Sequence, residues 1–177
     1  MSEAFEKAFK LVIESEGGFS NDPADRGGAT MWGITQAEID IKLGHHATIA
    51  EVKAFPIEKA KEIYEFKYWK RMRLDEVNHD LLKIMFFDQG VNRGCGTVVK
   101  QVETIVHTTT DGLMDTITLS KINETNALDL AFAFFKASQI SYIKIVKNNP
   151  SQMVFMLGWI NRTHNLLNLI RNNVKLI

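Results

Sequence analysis

Apolar side chains recur at helical spacing along most of this 177-residue chain, and this periodicity constrains the fold more than any other feature. In the first segment Phe5, Phe9 and Val12 lie on one side of a helix, which Ser2 can cap. Prolines are too few for an all-β protein, and a short β-leaning stretch over residues 29–35 predicts a strand of a hairpin. The sequence therefore predicts a mainly α fold with one small β-hairpin after the first helix.

Local signals mark where several further helices begin. The segments Thr35-Gln-Ala-Glu38 and Thr48-Ile-Ala-Glu51 both fit the capping box, in which a hydroxyl and a carboxylate satisfy the free amides of a helix start. The segment from Asp80 to about Val91 is apolar on most sides, which predicts a central helix. Later helices are predicted over residues 97–106, 118–122, 125–147 and 151–172.

Composition is that of an ordinary folded protein, with 45% hydrophobic and 24% charged residues. No apolar run approaches the roughly 18 residues that span a bilayer, and the acidic amphipathic N-terminal segment is unlike a signal peptide. Cys95 is the single cysteine, so no intramolecular disulfide can form. We therefore expect synthesis in the cytoplasm without a signal peptide, and no stable membrane insertion.

Charge is balanced overall but unevenly distributed. The 21 basic and 21 acidic side chains give no net charge, which argues against a nucleic-acid-binding protein. Residues 1–87 carry a charge of −3 and residues 88–177 a charge of +3, and no acidic residue follows Asp129. The basic residues after Asp129 form either a solvated helix face or a surface suited to a polyanionic partner such as a cell wall.

One carboxyl group continues the apolar stripe of the first helix. Glu16 follows Val12 by four residues, which predicts a core-facing position near the end of the helix. Desolvation and the negative end of the helix dipole both favour the protonated form of a carboxyl group, which can then donate its proton to a leaving group. The alternative is a glutamate that is simply solvated at the helix end.

Two further residues favour the catalytic interpretation of Glu16. Asp25 lies in a glycine-rich loop, and Thr30 follows that loop. An acid, a carboxylate and a hydroxyl are the groups that glycoside hydrolysis needs. Glu16 would protonate the glycosidic oxygen, while Asp25 would stabilise the oxocarbenium-like transition state or orient an attacking water. Thr30 would hold that water.

The segment that contains these residues also resembles a known family signature. Residues 16–35, EGGFSNDPADRGGATMWGIT, resemble the E-G-G-[YF]-x-N-D-P-x-D-x-G-G-x-T-x-x-G-I-T signature of glycoside hydrolase family 108. Its members are N-acetylmuramidases of phage endolysin and secretion activator type, in which the glutamate of the E-G-G motif is the catalytic acid. The spacing of Glu16, Asp25 and Thr30 is also similar to the Glu, Asp, Thr set of phage-type lysozymes, where the threonine lies one residue further on.

This resemblance implies both a fold and a function. It implies a lysozyme-like helical fold and a bacteriolytic peptidoglycan hydrolase, with Glu16 as the acid. The bond cleaved would be the β-1,4 bond between N-acetylmuramic acid and N-acetylglucosamine. Neither a cofactor nor a metal is expected, since the histidines lack zinc-ligand spacing and the loop carboxylates do not follow calcium-loop spacing.

The resemblance extends further along the chain. Ile63-Tyr64 and Tyr68-Trp69 resemble an aromatic segment of the family, and the segments 87–94, 111–112 and 158–162 resemble its C-terminal peptidoglycan-binding-like region. We therefore expect a catalytic lobe over residues 1–87 and a helical peptidoglycan-binding-like region over 88–177, packed as one globular unit. Asp115 stands where related modules carry a glycine, which leaves open whether this region binds peptidoglycan or completes the enzyme.

Aromatic and amide side chains are the candidate contacts to the glycan, because sugar faces stack on aromatic rings and sugar amides form hydrogen bonds. The candidates are Trp32, Tyr64, Tyr68 and Trp69 for stacking, and Gln89 and Asn92 for hydrogen bonds. The alternatives are that Tyr64 and Tyr68 belong to the core and that Asn92 caps a helix.

Two other functions fit the same residues. A lytic transglycosylase also uses one acid but leaves an anhydro sugar, and a non-catalytic wall-binding or secretion-assisting protein would keep only the fold. An enzyme made without a signal peptide would reach the wall after release by a holin-like membrane protein.

Overall fold

The computed structural model describes residues 2–21 and 28–174, which form two compact units divided between Lys70 and Arg71. The first unit contains α1 (Glu3–Glu16), β1 (Thr30–Met31), β2 (Ile34–Thr35), α2 (Gln36–Leu43), α3 (Ile49–Lys53), α4 (Ile57–Tyr64) and a π-helix (Glu65–Lys70). The second contains a 3₁₀ helix (Leu74–Glu76), α5 (Asp80–Arg93), α6 (Cys95–Val106), α7 (Thr116–Glu124), α8 (Ala127–Asn148), a 3₁₀ helix (Pro150–Phe155) and α9 (Met156–Val174). The predicted mainly α fold with one small hairpin after the first helix is confirmed.

In the first unit, α1 is amphipathic in the way the sequence predicts. Ser2 caps it by accepting a hydrogen bond from the amide of Phe5. Phe5 packs edge-on against Trp69, and Phe9 packs edge-on against Tyr64, with ring centroids 5.2 and 5.5 Å apart. The apolar face of α1 therefore packs on the end of α4 and on the π-helix that follows it.

Both predicted capping boxes are formed in this unit. The Thr35 hydroxyl accepts from the amide of Glu38, whose carboxylate accepts from the amide of Thr35, and this starts α2. The same exchange between Thr48 and Glu51 starts α3. These bonds satisfy amides that a helix start otherwise leaves without partners.

In the second unit, α5 packs against α6, α8 and α9. Its buried residues face nearly every direction around the helix, and they are Leu81, Leu82, Ile84, Met85, Phe86, Phe87, Gln89 and Gly90. This agrees with the predicted central helix, here the centre of its own unit. Helix α5 continues without interruption past residue 87, and the predicted division into a catalytic lobe and a peptidoglycan-binding-like region at residues 87 and 88 stays a prediction.

The last predicted helix differs from the structure at its start. Residues 150–155 form a 3₁₀ helix, and the α-helix begins only at Met156. Pro150 supplies no amide, and Asn149 caps the short turn by accepting from the amide of Ser151. Within the described ranges, none of the helices is both long and apolar enough to cross a membrane.

Candidate active site

Glu16 is the last residue of α1, and its side chain is half-buried. The chain leaves the helix at Gly17, which has a φ of 80°, in the region that glycine adopts most readily. The buried residues of α1 end at Val12, one turn earlier. The Glu16 carboxyl group therefore lies at the edge of the core, where a ligand can reach a partly desolvated acid.

The hairpin turn beside Glu16 has an unusual backbone. Trp32 and Gly33 connect β1 and β2 with φ values of 57° and 73°, the pattern of a type I′ turn. A left-handed conformation is strained for tryptophan, at a cost of about 1–3 kcal/mol. Two hydrogen bonds hold it: Trp32 Nε1 donates to the Phe55 carbonyl at 2.9 Å, and the Tyr64 hydroxyl donates to the Trp32 carbonyl at 3.0 Å.

This turn lies directly against the Glu16 side chain. A Cβ atom placed on Gly33 would lie 3.3 Å from Glu16 Oε2 and 2.5 Å from the Tyr64 hydroxyl oxygen. No side chain fits there without displacing one of these groups. We call Glu16, Trp32, Gly33 and Tyr64 the Glu16 cluster. Gly33 was not among the predicted site residues, although it lies in the Trp-Gly-Ile-Thr segment that ends the family signature.

Thr30 belongs to the same hairpin as this turn. It is half-buried in β1 and pairs with Thr35 of β2 on one side. On the other side its amide donates to the Ser20 carbonyl at 2.8 Å, and its carbonyl accepts from the Ser20 amide at 3.0 Å. These two bonds connect the hairpin to Ser20, four residues after Glu16. Asp25 lies between Ser20 and Thr30 and outside the described residues, so its role stays a prediction.

The four candidate stacking residues fall into two groups. Tyr64 and Trp69 are 2% and 1% exposed, and their rings contact Phe9 and Phe5. This burial does not support direct sugar stacking on either ring and fits the core alternative. Trp32 and Tyr68 are half-buried, so each keeps some ring surface that a ligand can contact.

Gln89 and Asn92 lie in the second unit, within a network of polar side chains. The Tyr142 hydroxyl lies 2.6 Å from Asn92 Oδ1 and 3.2 Å from Gln89 Oε1, and it donates to these atoms. Gln89 is fully buried, and its amide nitrogen donates to Asp88 Oδ2 at 2.9 Å. Asn92 lies inside α5 and does not cap the helix. The hydrogen-bonding groups of Gln89 are thus engaged within the protein.

Two arginines complete this set, which we call the Tyr142 network: Asp88, Gln89, Asn92, Arg93, Tyr142 and Arg162. Arg162 Nε donates to Asp88 Oδ1 at 2.9 Å. The Arg93 guanidinium lies 5.5 Å from the centre of the Tyr142 ring, and Trp159 stacks on that ring at 4.9 Å. Burial lowers the pKa of Arg93 and raises the pKa of Tyr142. Gln89 and Tyr142 are buried and the other four residues are half-buried, and Arg93 donates outside the network to Gln101 and Ser138.

Metal-assisted chemistry has no candidate site in the part of the chain that the structure describes. Among those residues, no three His, Cys, Asp or Glu side chains are grouped so that they could hold a metal ion.

Comparison with known proteins supports a fold class for the whole chain and a family resemblance for part of it. The chain has a lysozyme-like, mainly α fold, and it is similar to the solved structure of Brucella abortus SagA, with a TM-score of 0.78 and 27% sequence identity. The similarity covers 95% of this chain and 94% of that chain. Residues 9–94 match the sequence model of the glycosyl hydrolase 108 family. No curated protein matches the chain.

The family match covers the Glu16 cluster and ends just after α5. It supports the predicted resemblance to family 108 over these residues. The same match supports the function of a glycoside hydrolase that acts on the cell wall. The region after residue 94 lies outside the match, so its predicted peptidoglycan-binding role stays a prediction.

Proposed function

We propose that this protein is an N-acetylmuramidase that hydrolyses the β-1,4 bond between N-acetylmuramic acid and N-acetylglucosamine in peptidoglycan. The observation that carries the proposal is the position of Glu16. Its half-buried carboxyl group lies at the end of α1 and against the Trp32-Gly33 turn, inside the region that matches the glycosyl hydrolase 108 family.

In the proposed reaction, Glu16 donates its proton to the glycosidic oxygen while the bond from that oxygen to C1 of the sugar breaks. Positive charge develops at C1 and its ring oxygen, where the Asp25 carboxylate stabilises it or orients the water. Thr30 holds the water, whose oxygen adds to C1 as a hydroxyl group while its proton passes to a carboxylate. The products are a reducing N-acetylmuramic acid end and a free sugar hydroxyl.

The other members of the Glu16 cluster would position the acid. The Tyr64 hydroxyl donates a hydrogen bond to the Trp32 carbonyl, and the hairpin turn packs on the Glu16 side chain. Catalysis by a positioned acid depends strongly on geometry, since a displacement of about 1 Å can cost about 100-fold in rate. We assign Tyr64 a positioning role, and Trp32 and Tyr68 the contacts to the sugar.

The test compares Glu16→Gln with Glu14→Gln, which changes an exposed glutamate on the same helix. We expect Glu16→Gln to release soluble fragments from purified peptidoglycan about 10²–10⁴-fold more slowly, because a general acid contributes about that factor. Glu14→Gln should keep the wild-type rate. Circular dichroism establishes that both variants are folded, and an active Glu16→Gln variant would disprove the proposal.

Mass spectrometry of the fragments distinguishes the related reactions. Hydrolysis at this bond leaves reducing N-acetylmuramic acid, whereas a lytic transglycosylase leaves the anhydro form. A wild-type protein that binds peptidoglycan but releases no fragments would be a non-catalytic wall-binding or secretion-assisting protein.

The proposed substrate places the activity at the cell wall. We propose release through a holin-like membrane protein as the route to it, in an endolysin-type or secretion-activator role. The test is whether lysis by the expressed enzyme requires co-expression of such a protein.

A further inference from the structure

The second unit carries an exposed apolar surface that the proposed function does not use. It lies on the C-terminal half of α8, on the 3₁₀ helix and at the start of α9. Its residues are between 43% and 77% exposed, and they are Ile140, Ile143, Met153, Val154, Phe155, Leu157 and Ile160. We call them the apolar patch. Contiguous exposed apolar residues are typical of surfaces that meet another protein or a membrane.

The members of the patch are neighbours in space as well as in sequence. Ile143 of α8 and Ile160 of α9 line one shallow cavity of about 280 Å³, together with Met156 and Trp159. The ring of Phe155 lies 6.1 Å from that of Trp159. These contacts connect Ile143, Phe155 and Ile160, and the three helices that carry the patch pack on one another.

Lysines flank the patch at helical spacing. Lys136, Ile140, Ile143 and Lys147 follow one another at intervals of four, three and four residues, so they lie along one exposed face of α8. Lys144 is also exposed beside them. No acidic residue occurs in the chain after Asp129. The charged residues beside the patch on α8 are thus all basic, and they alternate with exposed uncharged polar residues such as Gln139 and Asn148. This charge complements an anionic surface.

The 3₁₀ helix contributes three exposed apolar side chains to the patch. A 3₁₀ helix has three residues per turn, so Met153, Val154 and Phe155 point in three different directions. All three are exposed, at 58%, 77% and 54%. Exposed apolar side chains beside lysines are typical of segments that lie in the interface of an anionic membrane.

We propose that the apolar patch and its bordering lysines bind this protein peripherally to an anionic lipid bilayer. The apolar side chains enter the boundary between headgroups and acyl chains, and Lys136, Lys144 and Lys147 contact the anionic headgroups. The proposal goes beyond the peptidoglycan activity and does not depend on it.

The first test measures flotation of the full-length protein with vesicles of phosphatidylglycerol and phosphatidylethanolamine, and with vesicles of phosphatidylcholine alone. We expect binding to the anionic vesicles that weakens as salt increases, because salt screens the attraction to the headgroups. Failure of the wild-type protein to bind anionic vesicles at low salt, or equal binding to both vesicle types, would overturn the proposal.

The second test uses variants that separate the patch from general apolar exposure. Val154→Asp combined with Leu157→Asp should lower the vesicle partition coefficient at least about tenfold, since each buried apolar side chain contributes strongly to transfer from water. The matched control is Ile41→Asp combined with Phe66→Asp, at residues that are 84% and 78% exposed in the first unit. It should bind vesicles like the wild type, and equal losses in both double variants would contradict the proposal.

A third set of measurements excludes other occupants of the patch. Replacing Lys136, Lys144 and Lys147 by glutamine should reduce binding to anionic vesicles and its salt dependence together. Binding to purified peptidoglycan and self-association by light scattering are measured on the same variants. If the aspartate variant lost either of these while the wild type did not bind vesicles, the occupant would be the wall or a second copy of the chain, and the lipid proposal would be wrong.

Discussion

Two groups of polar side chains, one in each unit, are held in different ways. In the first, the bonds that start α2 and α3 join residues only three positions apart, as between Thr48 and Glu51, and they lie at or near the surface. In the second, the Tyr142 network is largely buried and joins distant segments. Asp88 and Arg162 are 74 residues apart, and Tyr142 lies 53 residues from Gln89.

This difference separates two tasks of polar groups. Buried groups that bond to one another fix the packing of helices and leave little hydrogen-bonding capacity for a ligand. Glu16 instead lies half-buried beside a strained turn, and strain of this kind is concentrated at functional sites. We therefore expect changes in the Tyr142 network to alter stability, and changes in the Glu16 cluster to alter catalysis.

The largest expected effect follows from breaking the buried ion pair. The side chains of Arg162 and Asp88 are 11% and 13% exposed. Arg162→Leu removes the guanidinium that Asp88 binds and leaves a buried charge poorly compensated, which costs about 3–5 kcal/mol. Thermal and denaturant unfolding of the full chain should show this loss in the free energy of unfolding.

The control for this variant is an exposed ion pair in the same unit. Lys121 and Glu124 are 53% and 57% exposed, and Lys121→Ala should change the free energy of unfolding by less than about 1 kcal/mol. The folded fraction of Arg162→Leu should release peptidoglycan fragments at nearly the wild-type rate. A large loss of rate with little loss of stability would mean that the network takes part in catalysis.

The next effect concerns the turn that packs on Glu16. Gly33→Ala places a methyl group 2.5 Å from the Tyr64 hydroxyl oxygen and 3.3 Å from Glu16 Oε2, at a residue with a φ of 73°. The displaced carboxyl group should lower the rate of peptidoglycan hydrolysis about 10–100-fold. The strained backbone should also cost about 1 kcal/mol of stability. Fragment release and thermal unfolding measure the two effects.

A second substitution shows whether the contact with Tyr64 is the cause. Tyr64→Phe removes the hydroxyl that the new methyl group would meet, so the double variant should recover part of the rate that Gly33→Ala loses. Tyr64→Phe alone should cost about 1 kcal/mol of stability through its lost hydrogen bond to Trp32. Purely additive effects of the two substitutions would contradict the proposed packing of the turn.

Whether a contact joins near or distant residues also determines what could be predicted from the sequence. The two capping boxes and the apolar stripe of α1 depend on residues close in the chain, and their patterns predicted them correctly. Residues 29–35 were predicted as one strand of a hairpin, but they contain both strands and the turn between them. The role of Gln89 depends on Tyr142, 53 residues away, and local spacing contains no signal for that contact.

The same limit applies within the first unit. Trp32 is not a residue that predicts a left-handed turn, and its conformation is held by the hydroxyl of Tyr64, 32 residues further along. The position of Glu16 at the end of α1 followed from periodicity, whereas its contact with Gly33 required the folded structure. Long-range packing thus determines the part of the site that sequence patterns did not predict.

The smallest expected effect tests the local bonds of the first unit. Glu51 is exposed, yet hydrogen bonds from the amide and hydroxyl of Thr48, together with His45, lower its pKa from 4.5 to about 2. Because the folded state holds the ionised carboxylate, this bond stabilises the protein above pH 4.5, and that stabilisation is lost as the pH falls towards 2. The ¹³C resonance of the Glu51 carboxyl should titrate near pH 2 in the wild type and at a higher pH in Thr48→Val, which removes the hydroxyl bond but keeps the amide bond and His45. A wild-type midpoint near 4.5 would show that the capping bond does not form in solution, and the contrast with the long-range Tyr142 network would then lose its local example.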